Sequence, residues 1–218
     1  MTRDMTADIK HHLTEPLLMA YSAGTLPEAF SLAVAAHVSL CDECRARLGA
    51  LDAMGGSLIG AAPPVAMAQG SLDATLARIA NMPAAPRATR KRGVLPAPIQ
   101  DYVGGDLEAV KWRPVGMGVK QAILPTSRDA TARLLFIPAG AAMPDHGHRG
   151  TELTLVLQGA FEDETDRFGT GDIEIADQDV HHTPVADIGA DCICLAVTDA
   201  PLRFRRLLPR LAQPFLRI

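Results

Sequence analysis

The chain has 218 residues, 48% of them hydrophobic and 21% charged, with a formal net charge of −4. That length suits two folded units better than one small domain, and the composition is that of a packed protein, not a disordered one. The acidic balance argues against direct nucleic-acid binding, and no apolar run is long enough to span a bilayer. The opening MTRDMTADIKHH carries acids and lacks an apolar signal core, which predicts no export and a cytoplasmic protein. Four cysteines in C-x-x-C and C-x-C spacing are unlike a secreted disulfide framework.

The first stretch reads as helical. Thr14 is placed to cap a short helix through Glu15, Pro16 and Leu17, which Gly24 ends. Thr25-Leu-Pro-Glu28 has the capping-box pattern and opens a second helix with Phe30, Val34, His37, Val38 and Cys41 along one side. Asp42 is expected to cap a third helix, from Glu43 to about Met54, closed by Gly55 and Gly56. Ser71-Leu-Asp73 opens a fourth, whose stripe of Leu72, Leu76 and Ile79 either packs on the first three helices or docks on a partner.

The segment His37-Val-Ser-Leu-Cys41-Asp-Glu-Cys44 carries chemistry. His37 and Cys41 share a helix face at a spacing of four, and a turn after Cys41 can bring the Cys44 sulfur back beside it. Two thiolates and an imidazole suit Zn2+ and leave a tetrahedral ion one ligand short. His11-His12, ahead of the first helix, is the source of the fourth. Short helices bury little apolar surface, so a metal staple has a physical reason here.

The H-x3-C-x2-C segment with its upstream histidine resembles the zinc-binding anti-sigma factors, and within them the ChrR type, which carries a cupin-like C-terminal domain. The text from His12 to Pro27 and Leu40-Cys-Asp-Glu-Cys-Arg-Ala46 is close to that type, and the resemblance runs over nearly the whole chain. It implies that His12, His37, Cys41 and Cys44 bind Zn2+, with His11 the second choice for the first position. It also implies that the helical half sequesters an extracytoplasmic-function sigma factor, holding it from core RNA polymerase.

Charge marks a division: residues 1–92 carry a net +1 and residues 93–218 a net −5. Between them, Asn81 to Pro98 holds four prolines and the basic run Arg90-Lys91-Arg92, which reads as a solvated linker. The expected units are an all-α zinc-binding anti-sigma domain at 1–82, a linker at 83–98 and an all-β cupin jelly-roll barrel at 99–218. Strands are expected at Ala132–Ile137, Thr151–Leu157, Asp172–Ile175 and Cys192–Val197.

The second half contains Gly140-x5-His146-x-His148-x3-Glu152-x6-Gly159, which matches the first cupin motif at every defining position. A second motif opens at Gly171 and places its histidine at His182, with His181 facing the other way. This second motif departs from the family at Asp177-Gln-Asp179, where Pro-x-Gly is usual, and at Ala186, where Asn is usual. Three histidines and a glutamate accept Zn2+ foremost, with Fe2+, Mn2+ and Ni2+ chemically admissible. All seven histidines of the chain fall in these two clusters. Cys192 and Cys194 share a strand face and read as small buried hydrophobes or as a redox pair. Glu162 to Asp166 reads as a solvated acidic turn, and Pro201 to Ile218 as closing β-structure.

The resulting expectation is a zinc-dependent anti-sigma factor without enzymatic activity, nucleic-acid contact or membrane contact. The resemblance implies release of the sigma factor under oxidative stress, from singlet oxygen or organic hydroperoxide. The alternative is a cupin metalloenzyme, a dioxygenase or isomerase, with an accessory zinc module.

Overall fold

The computed structural model describes residues 8–83 and 93–204. The basic run at 90–92 lies outside them, as does the tail from 205 onward. The first half folds as α1 (Glu15–Ser22), α2 (Glu28–Leu40), α3 (Asp42–Ala61) and α4 (Ser71–Ala80). A short α5 (Ala97–Val103) follows. Among the described residues no helix is long and apolar enough to cross a membrane.

Besides the start of α3, where Cys41 and not Asp42 is the N-cap and Asp42 is the first helical residue, two helix boundaries differ from expectation. The capping box at Thr25 does not form. Its hydroxyl donates to the Ala20 carbonyl, and Pro27 precedes the first turn of α2. Glu28 instead ties the helix to the second half, accepting from the Tyr102 hydroxyl at 2.6 Å and from the Ser127 backbone N–H at 2.6 Å. The second difference is in α3, which runs through Gly55 and Gly56 to Ala61. A helical glycine costs roughly 1 kcal/mol but raises no steric bar. What stops α3 is Pro63, which drives Ala62 to φ −69°, ψ 139°.

Among the described residues, every strand pair of the second half is antiparallel. One sheet has the order β1 (Arg113–Gly116), β2 (Val119–Ile123), β3 (Thr131–Ile137), β11 (Cys192–Thr198), β5 (Glu152–Gln158) and β8 (Ile173–Ala176). A second has β10 (Val185–Ala186), β6 (Ala160–Glu162) and β7 (Arg167–Gly169). A third has β12 (Arg203–Phe204), β4 (His146–Gly147) and β9 (His181–His182). The motif glycine Gly159 has φ +72°, and a Cβ there would lie 2.6 Å from the Asp191 carbonyl oxygen, so the turn after β5 requires glycine. Where Pro-x-Gly is missing, the Asp177 carboxylate accepts from the Asp179 N–H at 2.9 Å and makes the turn itself. Ala186 is buried against β6.

The two halves share a core. The α2 face of Phe30, Ala33 and Val34 belongs to one buried cluster with Leu95, Ile99, Leu134, Leu153 and Leu195, so the helix lies on the outer side of the large sheet against β11, β5 and β3. Strand β11 is therefore covered on both sides: Ile193, Leu195 and Val197 face this cluster, while Cys192 and Cys194 face a second cluster with Val119, Ile137 and Phe161. Each fully buried Leu or Ile contributes about 1.5–3 kcal/mol. The end of the expected linker is packed as well. Leu95 is buried, and the Asp106 carboxylate accepts from the N–H groups of Val94 and Leu95 at 2.9 and 2.7 Å. By contrast α4 buries nothing: Leu72, Leu76 and Ile79 are 68%, 53% and 60% exposed.

Candidate metal centres

His12, His37, Cys41 and Cys44 offer donor atoms that all lie within 4.8 Å of one another. His37 sits in the last turn of α2. Cys41 both ends that helix and precedes α3, and its sulfur accepts from the Cys44 N–H at 3.4 Å. His37 Nε2 is 3.3 Å from Cys44 Sγ, and His12 Nδ1 is 3.3 and 3.8 Å from the Cys41 and Cys44 sulfurs. Zn–N bonds near 2.0–2.1 Å and Zn–S bonds near 2.3 Å would set tetrahedral N···S edges at about 3.5 Å, which these separations fit. The Glu43 carboxylate backs His12, 3.3 Å from Nε2, and Arg47 holds the Leu13 carbonyl at 3.1 Å. Burial pushes the His37 imidazole down to about 4, opposed by the Gly171 backbone and Asp172, so it is neutral and ready to ligate. Burial also pushes the Cys44 thiol up to about 11, so a cation must displace its proton.

His11 goes elsewhere. Its ring lies on Phe168 with centroids 4.3 Å apart, and its nitrogens face Asp166 Oδ2 at 3.2 Å and Asp172 Oδ2 at 3.4 Å. The buried Asp172 carboxylate accepts from the backbone N–H groups of Lys10, His11 and Gly169 at 2.6, 2.9 and 2.7 Å. Those three bonds and His11 hold its carboxyl below the usual range against the cost of burial. The segment carrying His12 is thus pinned to the turn that leads into β8.

His146, His148, Glu152 and His182 form the second cluster, again with donor atoms within 4.8 Å and all four buried. Strands β4 and β9 pair His146 directly with His182, and Glu152 enters from the start of β5. The Nε2 atom of His182 lies 3.2 Å from Nε2 of both His146 and His148. His146 donates through Nδ1 to the Pro144 carbonyl at 2.8 Å, which leaves a lone pair on its Nε2. A proton on His182 Nε2 can serve only one of its two neighbours, whereas a cation serves all three. Tetrahedral N···N edges for bonds of about 2.0–2.1 Å are about 3.3 Å, so the donor set fits a divalent ion.

Behind this cluster stands a layer of carboxylates that spacing did not reveal. His182 Nδ1 is 2.7 Å from Asp163 Oδ2 and 3.0 Å from Glu174 Oε1. The Asp163 side chain is fully buried, so the acidic segment expected to be a solvated turn instead sends one acid inward. Burial opposes charge on His182, but Glu174 and Asp163 hold it up to about 9. Burial pushes Glu174 up to about 7 against the pull of His182. The Thr165 hydroxyl and His182 keep Asp163 depressed despite its burial. Burial takes His148 down to about 4. The sequence predicts a strand at Asp172–Ile175 with acids alternating with isoleucines, but not that the acids are buried as well: Asp172 and Glu174 are 4% and 6% exposed. His181 is exposed, as strand alternation predicts. Cys192 and Cys194 are buried free thiols.

This β domain gathers three buried histidines and a glutamate, three of the four lining its interior cavity, and residues 100–201 match the ChrR cupin-like domain family. Over 211 residues, 96% of this chain and 99% of the relative, the sequence is 64% identical to the anti-sigma-E factor ChrR of Cereibacter sphaeroides. The crystal structure of Rhodobacter sphaeroides SigE in complex with the anti-sigma ChrR aligns with a TM-score of 0.79 at 63% identity, over 87% of this chain and 99% of that one. The chain belongs to the ChrR family of anti-sigma factors, which are regulators and not enzymes.

Proposed function

We propose that this chain binds an extracytoplasmic-function sigma factor through its helical half and releases it under oxidative stress, of the singlet-oxygen or organic-hydroperoxide class. The observation that carries the sigma-binding surface is the bare apolar face of α4 together with Leu58 and Ile59 of α3, 76% and 79% exposed. Such a face marks a partner site. The relative ChrR was crystallised with SigE, which supports a sigma factor as that partner. Residues 1–82 form the sigma-binding unit, 83–98 the connection and 99–218 the sensing unit. Free buried thiols suit a cytoplasmic setting.

Zn2+ held by His12, His37, Cys41 and Cys44 fixes the ends of α2 and α3. His146, His148, Glu152 and His182 hold a divalent ion, Zn2+ foremost, which supplies a Lewis-acid centre at the barrel mouth. A change at the second cluster has a short path to the first. Asp163 and Glu174 orient His182, Asp166 and Asp172 grip His11, and His12 is the next residue. Release requires that the signal alter the relative stability of bound and free states, and this contact is where it acts. The test is copurification of the sigma factor with the full chain and with Leu72→Glu and Leu76→Glu. Capture by the wild type, lost in both variants with both metals retained, is expected. Undiminished capture by both variants would reject α4 as the binding face.

A further inference from the structure

The barrel interior that His146, Glu152 and His182 face is a cavity of about 340 Å³, within the range of about 300–1,000 Å³ typical of small-molecule sites. Its walls explain why it is open. On β11 the residues turned into it are Cys194, Ala196 and Thr198, while the opposite face of the same strand carries Ile193, Leu195 and Val197. A barrel packed by its own side chains uses bulky residues on the inward face. Here the large residues go to the helix-covered side, and the small ones leave room. The rest of the wall is apolar, with Leu135, Met143 and Phe161 inside, and Met117 at the rim is 80% exposed.

The polar end of the cavity has a sign. Arg133, buried on β3 and donating to Gln121 at 3.3 Å, lines the same space as Glu152. With a divalent ion on neutral imidazoles and one carboxylate, the cavity face carries net positive charge. Glu174 lines the cavity too and, with Asp163 outside the lining, engages the far nitrogen of His182; its one charge leaves the sum of the ion, Arg133, Glu152 and Glu174 positive. We propose that the cavity is a binding site for a small monocarboxylate, an apolar tail with one anionic oxygen head, whose head faces the cupin cation and whose tail lies along β11 and the apolar wall. This rests on the cation reading of the second cluster. It gives the barrel a chemical input besides stress: occupancy would brace β4, β9 and β11, the strands that carry His146 and His182 or lie beneath α2.

The test uses the zinc-loaded full chain, with metal content measured first and hexanoate, 1-hexanol and hexylammonium titrated calorimetrically. Hexanoate is expected to bind roughly tenfold or more tighter than the other two, the factor set by one charge-assisted contact. Ala196→Leu fills the interior and Val115→Trp blocks the rim. Each is expected to weaken hexanoate roughly tenfold or more at unchanged metal content. His148→Ala, which removes a cation ligand outside the cavity wall, is expected to bring hexanoate down to the level of hexanol. In a chain with both clusters loaded, absent hexanoate binding, equal binding of the three probes, or indifference to both filling variants would overturn the cavity site and leave the cation reading standing. A chain that loads only the first cluster would refute the cation reading and the head contact with it.

Discussion

The two donor clusters lie on either side of one interface and are built for different work. The first is the more closed: two sulfurs and two imidazoles converge, with His37, Cys41 and Cys44 buried and His12 partly so. The second has three imidazoles and one carboxylate, carboxylates behind, and an open cavity of about 340 Å³ in front. A closed soft set fixes chain segments relative to each other, whereas a set with an open side can meet small molecules and change. The difference teaches that, on the proposed function, holding and sensing are separated by side-chain type, and that His11 and Asp172 lie between the two clusters.

The largest expected effect comes from breaking the closed cluster. Cys41→Ser removes a ligand from a site whose binding free energy is on the order of 10–16 kcal/mol. Zinc at the first cluster and sigma-factor binding are expected to be lost together, while metal analysis finds the second ion retained. A zinc-free but fully inhibitory Cys41→Ser would erase the contrast. Next is the acid behind the open cluster. Asp163→Asn is expected to weaken cupin metal binding about 10–100-fold, measured by chelator competition, with the first cluster unchanged.

The bridge is smaller. Asp172→Ala strands the N–H groups of Lys10 and His11, at about 1–3 kcal/mol. Thermal unfolding should begin at lower temperature, and hydrogen exchange should rise selectively at residues 9–12. Normal protection there would mean the two clusters are not joined at this point.

The pH dependence gives the finest distinction. His182 is held up to about 9 in the metal-free chain. Its pairing with Asp163 and Glu174 therefore stabilises that form fully below its ordinary value of 6.5, and the contribution is lost as pH rises through about 9. A cation at the second cluster must displace that proton. Its affinity is therefore expected to climb from pH 6.5 to about 9, with proton uptake by the buffer in calorimetry. His148, held down to about 4, adds no such dependence.

The ligand types were legible because H-x3-C-x2-C and the cupin spacing are strict, and because the histidines of the chain gather in those two segments, although His11 and His181 turn out to stand outside the donor clusters. The carboxylates were not. Asp163 sits in a run of acids that looks solvated, and only the fold turns it inward to His182. The shared core was equally hidden. The sequence shows one apolar side of α2, but Ala29, Ala33 and Ala36 are buried too, and small residues at those positions let a helix settle close on a sheet. Helix α4 shows a cleaner stripe than α2 and yet stays bare. A stripe reveals that a face wants cover, not whether this chain or another supplies it.

The most direct measurement compares sigma-factor release from complexes of wild type and His148→Ala after exposure to singlet oxygen or an organic hydroperoxide. The account predicts equal affinity for the sigma factor before exposure, then release from the wild type alone. Equal release from both complexes would contradict it, because the open cluster would then play no part in receiving the signal.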